Sequence, residues 1–408
     1  MHLSKLVQEM IKEPSPIRQI MKMASRQNII NMGLNPDEII SFGGGWVGHY
    51  PPEELREEYR KICDDIESFY EASKYSPTMG FDECRNAIAE MEKEIFNVKL
   101  EEGNIIIGQS STQLLHDLLI TLANPDDKIL LFDPTYANYF GQIKMTLRSA
   151  KIIRLKVLDD ERWEYKDNIG EDFKEIYEKE KPKIVIFPSP DNPSSQVFRE
   201  DFVKTMVEIA SNSFIIVDFA YKTQCFIKPP SYFSWNPNDY ENMVALHSNS
   251  KWGRGLGRRM GWVEASFEII DAMERVQQRS ILCPDSMHQM AMANYIKRAL
   301  KNGLRKYLEE VKKAYKKAAD LTIKAIRNYL DMPCLTPEGG LYTLMKVDED
   351  ADEFVMKILK NTGVLFIPGK GFGESLKKGV RISYGPLVNK VKDIEEGIIR
   401  VAKFLGKI

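Results

Sequence analysis

The sequence predicts an α/β fold in which helices cover both faces of a mostly parallel sheet, followed by a smaller α+β region. Two observations support this prediction. From about residue 104 onwards, short apolar runs of strand length alternate with longer segments of helical period. After residue 330 the order changes to strand, helix, two strands and a final helix. Since strands that alternate with helices need crossover connections, the first region is expected to pair in parallel.

The N-terminal 35 residues are predicted to form an arm, with a proline break at 14–16 and a short helix over 17–25. Residues 39–52 are rich in glycine and aromatic side chains, which is typical of an irregular loop. The α/β region then follows. Its predicted strands are 104–107, 128–132, 183–187, 214–217 and 243–246, and helices are predicted over 113–123 and 201–211.

A long charged helical region is predicted over 284–330, interrupted only at Gly303. The elements predicted after it are strand 334–347, helix 351–361, strands 364–368 and 380–384, and helix 388–405. We therefore expect three parts. They are an arm (1–45) that joins the small domain, a large α/β domain (46–290), and a linking helix with a small α+β domain (291–408).

Composition excludes several classes of protein. The 57 Lys and Arg residues are balanced by 59 Asp and Glu, so the net charge of −2 gives no basic surface for nucleic acid. No apolar run approaches the roughly 20 residues that span a bilayer, and the N-terminus lacks a signal-peptide pattern. A cytoplasmic protein without membrane or nucleic-acid partners is expected. The five Cys and five His are scattered, so no metal site is predicted.

Polar clusters follow four of the predicted strands directly, at 133–136, 188–193, 218–221 and 247–251. Ligands bind outside the carboxyl ends of strands in open α/β sheets. Each residue alone has an ordinary interpretation as a surface lysine, a loop residue or a helix cap. The glycine-rich runs 253–257 and 369–373 are interpreted as turns, since neither opens a βαβ unit. The order of the four clusters and their common edge predict one site.

These residue types suit a phosphorylated pyridine aldehyde. A lysine such as Lys251 can form a Schiff base with an aldehyde, and Asp218 can keep a pyridine nitrogen protonated. Asparagine and tyrosine can donate hydrogen bonds to the ring oxygen. A helix N-terminus after 110–112 and an arginine at 258 or 259 can hold the phosphate.

Ten ordered motifs extend this pattern over essentially the whole chain: 75–80, 85–88, 111–113, 133–136, 192–193, 218–221, 248–251, 259–261, 337–340 and 381–384. With them the sequence resembles the class I/II aminotransferases, pyridoxal-phosphate enzymes of the aspartate aminotransferase fold (fold type I). The resemblance implies a three-layer large domain with a seven-stranded, mostly parallel sheet. It also implies pyridoxal 5'-phosphate as cofactor, amino acid and 2-oxo acid substrates, and a homodimer with shared active sites.

The resemblance also implies roles for individual residues. Lys251 would carry the internal aldimine, and Asp218 would contact the pyridine nitrogen. Asn192 and Tyr221 would bind the ring oxygen, and Tyr136 would stack on the ring. The phosphate would be held by Ser110, Ser111, Thr112, Ser248 and Arg259, with Tyr75 reaching the phosphate of the neighbouring subunit. The substrate α-carboxylate would be bound by Arg381, Asn192 and the backbone near Gly45.

Two departures from the family pattern are evident. Ser110 stands where the phosphate turn usually has glycine. Arg259 lies eight residues after Lys251, and a related branch places the phosphate arginine at seven, where Arg258 stands. Both arginines therefore stay candidates, with Arg259 preferred.

The predicted function is transamination between an L-amino acid and a 2-oxo acid, with 2-oxoglutarate and glutamate as one pair. A β-lyase or a decarboxylase using the same lysine is the alternative. Segments 15–18, 40–45, 278–289 and 366–369 resemble the 2-aminoadipate and kynurenine aminotransferase branch. There the arginine matching Arg18 meets a distal carboxylate or swings away for aromatic side chains, although Arg18 could equally be a surface residue. Acidic, aromatic, aliphatic and 2-aminoadipate donors stay open. Arg279 is a second candidate cation, and Trp46 and Tyr50 could line a pocket or pack the loop.

Overall fold

The computed structural model describes residues 3–12 and 16–408. The proline break predicted at 14–16 lies mostly outside the described residues. The strands are β1 Ile40–Ser41, β2 Ile105–Gly108, β3 Lys128–Asp133, β4 Lys151–Lys156, β5 Leu158–Asp159, β6 Glu164–Tyr165, β7 Ile184–Pro188, β8 Phe214–Asp218, β9 Met243–Ser248, β10 Gly261–Glu264, β11 Tyr342–Lys346, β12 Val364–Leu365, β13 Ile367–Pro368 and β14 Gly379–Ser383.

The α-helices are α1 Lys5–Lys12, α2 Pro16–Met23, α3 Arg26–Asn31, α4 Glu53–Asp64, α5 Ile66–Ala72, α6 Asp82–Phe96, α7 Ser110–Leu122, α8 Asn138–Thr146, α9 Ile169–Glu180, α10 Glu200–Ile209, α11 Phe267–Ser280, α12 Ser286–Asn302, α13 Leu304–Ala325, α14 Ala351–Thr362 and α15 Val391–Phe404. A π-helical turn, Ile326–Leu330, ends α13. No helix of the described residues has both the length and the apolar character needed to cross a membrane.

The central sheet has seven strands in the order β2, β10, β9, β8, β7, β3, β4. Strand β10 runs antiparallel to both of its neighbours, and the pairs from β9 to β4 are parallel. The predicted α/β class with a mostly parallel seven-stranded sheet is therefore confirmed. Two of its strands, β4 and β10, were not predicted.

Alternate residues of the central strands pack on opposite faces of the sheet. Val185 and Val217 belong to one apolar cluster, and Ile186 and Ile216 belong to the other. Both faces are thus covered by helices, which explains why the central strands are apolar at nearly every position. The result is three layers.

The C-terminal region contains an antiparallel sheet in the order β11, β14, β13. Its apolar cluster also contains residues from the other end of the chain, such as Ile20, Ile40 and Phe42. The two chain ends therefore pack together. The domain boundaries stay predictions, and the one at 290 lies inside α12.

Two predicted strands differ from the structure. The strand predicted at 334–347 is only β11, and Cys334 forms one isolated bridge to Met345. The intervening Gly340 has φ +67°, a turn conformation that interrupts a strand. The strand predicted at 364–368 is two short strands, β12 and β13, in different sheets.

Candidate active site

Four neighbouring strands, β9, β8, β7 and β3, bring the predicted polar clusters to one edge of the sheet. Asp218 is the last residue of β8, and Lys251 follows β9 by three residues. Asn192 lies in the loop after β7, and Tyr136 lies in the loop after β3. These four residues therefore lie at or just after the carboxyl ends of neighbouring strands.

The amine of Lys251 lies at the centre of this edge. Its Nζ donates a hydrogen bond of 2.6 Å to the carbonyl of Gly45 and lies 5.5 Å from the centre of the Tyr221 ring. Burial lowers the pKa of Lys251 to about 8, and the charges of Arg381 and Arg259 add to this effect, while Asp218 opposes it. The neutral fraction of this amine near neutral pH is therefore larger than that of an exposed lysine.

Asp218 is buried, and two donors hold its carboxylate. The Tyr139 hydroxyl donates to Oδ2 at 2.7 Å, and the Ala220 N–H donates to Oδ1 at 2.9 Å. Burial raises the pKa of Asp218, whereas these two hydrogen bonds and the charge of His247 lower it. Tyr139 was missed by the sequence analysis. Its signal was its position three residues after Tyr136, one helical turn along the segment that continues from β3.

Arg381 of β14 is buried at 3% exposure. Its Nη1 donates to Asn192 Oδ1 at 3.2 Å, and its Nη2 donates to the Gly43 carbonyl at 2.9 Å. The guanidinium lies 4.5 Å from the centre of the Tyr342 ring and 4.8 Å from that of Phe372. Its Nε has no hydrogen-bond partner among the described residues. The group is thus a buried cation with spare donor capacity, which suits an anionic ligand.

Tyr342 of β11 is a second residue that the sequence analysis missed. Its hydroxyl lies 2.8 Å from the hydroxyl of Tyr221, and its ring covers Arg381. Tyr342 therefore links a residue predicted for the cofactor with a residue predicted for the substrate.

The N-terminus of α7 faces the same edge. Ser110 has φ +75°, the left-handed conformation that favours glycine, so the substitution of the usual glycine retains the turn. Ser110 and Ser248 are both buried, and Ser111 is partly buried. Thr112 is exposed, and its carbonyl accepts a hydrogen bond from Gln142 at 2.6 Å. Free N–H groups at a helix N-terminus suit a phosphate.

The two candidate phosphate arginines point to different surroundings. The Arg258 guanidinium lies 4.5 Å from the centre of the Tyr59 ring. Arg259 donates to the Leu256 carbonyl at 2.8 Å, and its charge contributes to lowering the pKa of Lys251. Arg259 therefore stays the preferred candidate, and the assignment remains a prediction.

The other predicted residues are exposed. Arg18 is exposed on α2. Burial raises the pKa of Tyr136 to about 12, and the charge of Arg18 opposes that rise. Tyr75 is 83% exposed, and Tyr50 is 80% exposed. Arg279 is exposed on α11, where it donates to the Arg275 carbonyl at 2.6 Å. Trp46 is half-exposed, and its ring lies over Gly44.

The sequence profile of the family "Aminotransferase class I and II" matches residues 40–396. The chain belongs to this aminotransferase family. It is similar to a probable aspartate aminotransferase of Methanocaldococcus jannaschii, with 26% identity over 95% of this chain and 96% of the relative. An aspartate aminotransferase of Bacillus subtilis is also 26% identical, over 91% of this chain and 92% of the relative.

Solved structures share the aminotransferase fold. Thermus thermophilus aspartate aminotransferase with maleate superposes with a TM-score of 0.85 at 20% identity, over 99% of each chain. A Methanococcus jannaschii protein, described as similar in its active site to kynurenine aminotransferases, gives 0.84 at 24% identity, over 99% of this chain and 100% of that one. The chain is therefore a transaminase that uses pyridoxal phosphate.

The residues at this aminotransferase's strand ends fit the cofactor. Lys251 supplies an amine with a lowered pKa, and Asp218 supplies a buried carboxylate. The N-terminus of α7 and Arg259 supply donors for a phosphate. The unpartnered Nε of Arg381 is available for a carboxylate next to them.

Proposed function

We propose that this aminotransferase exchanges an amino group between an L-amino acid and a 2-oxo acid through Lys251, with glutamate and 2-oxoglutarate as one pair. The observation that carries the proposal is the Lys251 amine, whose pKa falls to about 8 through burial and the charges of Arg381 and Arg259. When bound, the cofactor supplies an aldehyde that accepts the amino group and a ring that withdraws electrons.

The remaining steps belong to side chains of this chain. Arg381 binds the substrate α-carboxylate with Asn192, because its planar fork can form two parallel hydrogen bonds. The backbone at Gly45 contributes there as well. The neutral Lys251 amine then takes the proton from the substrate α-carbon, and it acts efficiently because its pKa is near the working pH.

Other side chains would orient the ring and its phosphate. Asp218 would hold the ring nitrogen, Tyr221 and Asn192 would hold the ring oxygen, and Tyr136 would pack on the ring face. The phosphate would be held by Ser110, Ser111, Thr112, Ser248 and Arg259. We infer that Tyr75 reaches the phosphate of a second copy, since it is 83% exposed on its own subunit. This role requires a homodimer, which light scattering of the purified protein tests directly.

Lys251→Ala is the decisive variant. It should lose keto acid formation from glutamate, and borohydride reduction of the native holoenzyme should attach the cofactor to the peptide that contains residue 251. Lys174→Ala, on the exposed face of α9, is the matched control and should keep both properties. Transamination by Lys251→Ala at the native rate would contradict the proposal.

The donor amino acid is proposed from charge. Arg18 is exposed on α2, and its charge opposes the rise in the pKa of Tyr136, so Arg18 is the candidate to meet a distal carboxylate of an acidic donor. Relatives named aspartate aminotransferase and the likeness to kynurenine aminotransferases support acidic and aromatic donors, respectively. Arg18→Ala should therefore raise KM for aspartate or 2-aminoadipate about tenfold or more, and leave KM for an aromatic donor unchanged. Equal effects on both donors would remove Arg18 from substrate selection.

A further inference from the structure

Residues 43–49 form a loop that we call the glycine loop, since its first three residues are glycine. Glycine backbone has more conformational freedom than that of any other residue, so local preference does not fix the loop. The proposed function nevertheless needs this loop in one place. The Gly45 carbonyl accepts a hydrogen bond of 2.6 Å from the Lys251 amine, and the Gly43 carbonyl accepts one from Arg381. Contacts with other segments must therefore hold the loop.

The last residue of the glycine loop is a buried histidine, His49, which is 7% exposed. Its Nε2 lies 3.1 Å from the Trp252 carbonyl oxygen, and its Nδ1 lies 2.7 Å from the hydroxyl of Tyr315 on α13. Since a carbonyl only accepts, Nε2 carries the hydrogen, and Nδ1 of the neutral ring accepts from Tyr315. Burial keeps the ring neutral, because it lowers the pKa of His49 to about 4. One tautomer in one orientation thus satisfies both ring nitrogens.

The contacts of His49 lead to the segment that carries the proposed catalytic lysine. Trp252, whose carbonyl accepts from the imidazole, follows Lys251 directly. A second contact joins the same two segments, since Arg254 donates hydrogen bonds to the carbonyls of Gly48, at 2.8 Å, and His49. The far end of the glycine loop is therefore bound to the chain that follows Lys251.

Gly48 joins the glycine loop to the C-terminal region as well. Its N–H donates to the Gly385 carbonyl at 3.0 Å, and its carbonyl accepts from Asn389 Nδ2 at 2.7 Å. A Cβ at this position would lie 2.8 Å from the Pro386 carbonyl oxygen, so the close approach of the two backbones requires glycine. The loop therefore bridges the chain after Lys251 and the turn at 385–389.

We propose that His49 is a positioning residue of the transaminase. Its two hydrogen bonds fix the glycine loop, so that the Gly45 backbone stays in place for the substrate α-carboxylate and beside the Lys251 amine. This role of His49 rests on the proposed contact of Gly45 with the substrate. Without the two hydrogen bonds the glycine loop has more conformations available, and substrate binding must then restrict them at a cost in affinity. The proposed cofactor contacts lie on other segments, so cofactor affinity should not change.

The test uses Tyr315→Phe, because this change removes one hydroxyl and keeps the ring. In the holoenzyme, KM for glutamate and for 2-oxoglutarate should rise about tenfold. The dissociation constant of 2-methylglutamate, followed by the visible absorption of the holoenzyme, should rise to the same extent, since this analogue has no α-proton and reports binding alone. The dissociation constant of pyridoxal phosphate, measured by quenching of apoprotein fluorescence, should stay at its native value.

Tyr177→Phe is the matched control. The Tyr177 hydroxyl lies 2.8 Å from Ser213 Oγ, so this variant also loses one hydrogen bond of a tyrosine. It should keep the native KM values and both native dissociation constants. A rise in KM equal to that of Tyr315→Phe would show that general destabilisation causes the effect, and His49 would not be a positioning residue.

Two variants of His49 itself add a comparison. His49→Leu removes both hydrogen bonds and should raise KM at least as much as Tyr315→Phe. His49→Gln has a donor and an acceptor of its own and should recover part of the lost substrate affinity. If these variants and Tyr315→Phe lower only the melting temperature, His49 is structural and the proposal is overturned. If they weaken the binding of pyridoxal phosphate as much as that of 2-methylglutamate, His49 holds the chain after Lys251 and not the loop, which also overturns it.

Arg381→Met tests the proposed function separately. This variant should weaken 2-methylglutamate binding, because it removes the cation that binds the α-carboxylate. If it binds the analogue as tightly as the native enzyme, the proposed carboxylate site fails, whatever the His49 variants do. If Arg381→Met weakens binding and the variants of His49 and Tyr315 do not, the carboxylate site stands and the role of His49 alone is refuted.

Discussion

Replacing Gly261 by alanine tests whether the N-terminus of α7 holds the cofactor phosphate. Gly261 lies on β10, which passes directly behind that N-terminus. A Cβ at this position would lie 2.6 Å from the His247 carbonyl oxygen and 2.7 Å from the Ser111 nitrogen. Both contacts are with backbone atoms, which cannot rotate away as the end of a side chain can.

The size of the effect follows from these distances. To bring the contact with Ser111 from 2.7 Å to an ordinary contact, the start of α7 or β10 must move by roughly 0.7 Å, a backbone shift that typically costs about 1–3 kcal/mol of stability. A displacement of that size lengthens a hydrogen bond from the Ser111 N–H to the phosphate beyond its useful range. Losing one hydrogen bond to a charged group costs about 1.5–3 kcal/mol, which corresponds to a dissociation constant for pyridoxal phosphate roughly 10 to 100 times higher.

The assay is a titration of the apoprotein with pyridoxal phosphate, paired with a thermal melt of the apoprotein. Gly170→Ala is the control, since Gly170 lies in α9 and a Cβ there meets nothing within 4 Å. It should keep the native cofactor affinity and melt at the same or a higher temperature, because alanine favours helix. If Gly261→Ala melts lower but binds the cofactor as tightly as the native protein, the N-terminus of α7 does not hold the phosphate.

Three further predictions concern the same site. Arg381→Lys should lower kcat/KM about 100-fold or more for both the amino acid and the 2-oxo acid in steady-state assays, because lysine lacks the planar fork of arginine. An effect on one substrate alone would argue against a shared carboxylate site. Tyr139→Phe removes the hydroxyl that donates a 2.7 Å hydrogen bond to Asp218. This variant should bind pyridoxal phosphate about tenfold more weakly as the apoprotein. Native affinity would mean that Asp218 does not need this hydroxyl. The rate of cofactor capture by the apoprotein should rise with pH, with a midpoint near pH 8, and level off above it. Only the neutral Lys251 amine attacks, and its pKa is lowered to about 8 by burial and by Arg381. In Arg381→Met the midpoint should move to higher pH in stopped-flow traces, and an unchanged midpoint would show that this charge does not act on Lys251.

The parts of the fold that were predicted are those with a strong local pattern. Strands β7 and β8 are apolar at consecutive positions because both faces of the sheet are covered. The strands that were missed have weaker signals. Strand β10 has only four residues, begins with Gly261 and ends with a buried glutamate, which is unusual for a strand interior. Strand β4, with the sequence KIIRLK, is an edge strand in which only Ile153 and Leu155 are buried, so its apolar run is short.

Many of the predicted cofactor residues lie at the ends of strands or directly after them. Tyr139 and Tyr342 were missed for a physical reason, because their importance lies in contacts between distant segments. Tyr139 reaches Asp218, 79 residues away in sequence, and Tyr342 reaches Tyr221, 121 residues away. A spacing pattern within one segment carries no information about such pairs. The roles assigned to Lys251, Asp218 and Arg381 stay predictions, although the structure brings these side chains to one edge of the sheet.

Burial has opposite consequences for the two central groups of the proposed mechanism. For Lys251, burial favours the neutral amine that the chemistry needs, and the charges of Arg381 and Arg259 add to it. For Asp218, the same burial favours the neutral acid, which could not pair with a protonated ring nitrogen. Groups that oppose this effect of burial lie around Asp218. Tyr139, the Ala220 N–H and the charge of His247 all favour its anion. A site that must be dry for its lysine therefore needs buried hydrogen-bond donors for its aspartate, and the Tyr139 hydroxyl and the Ala220 N–H supply them.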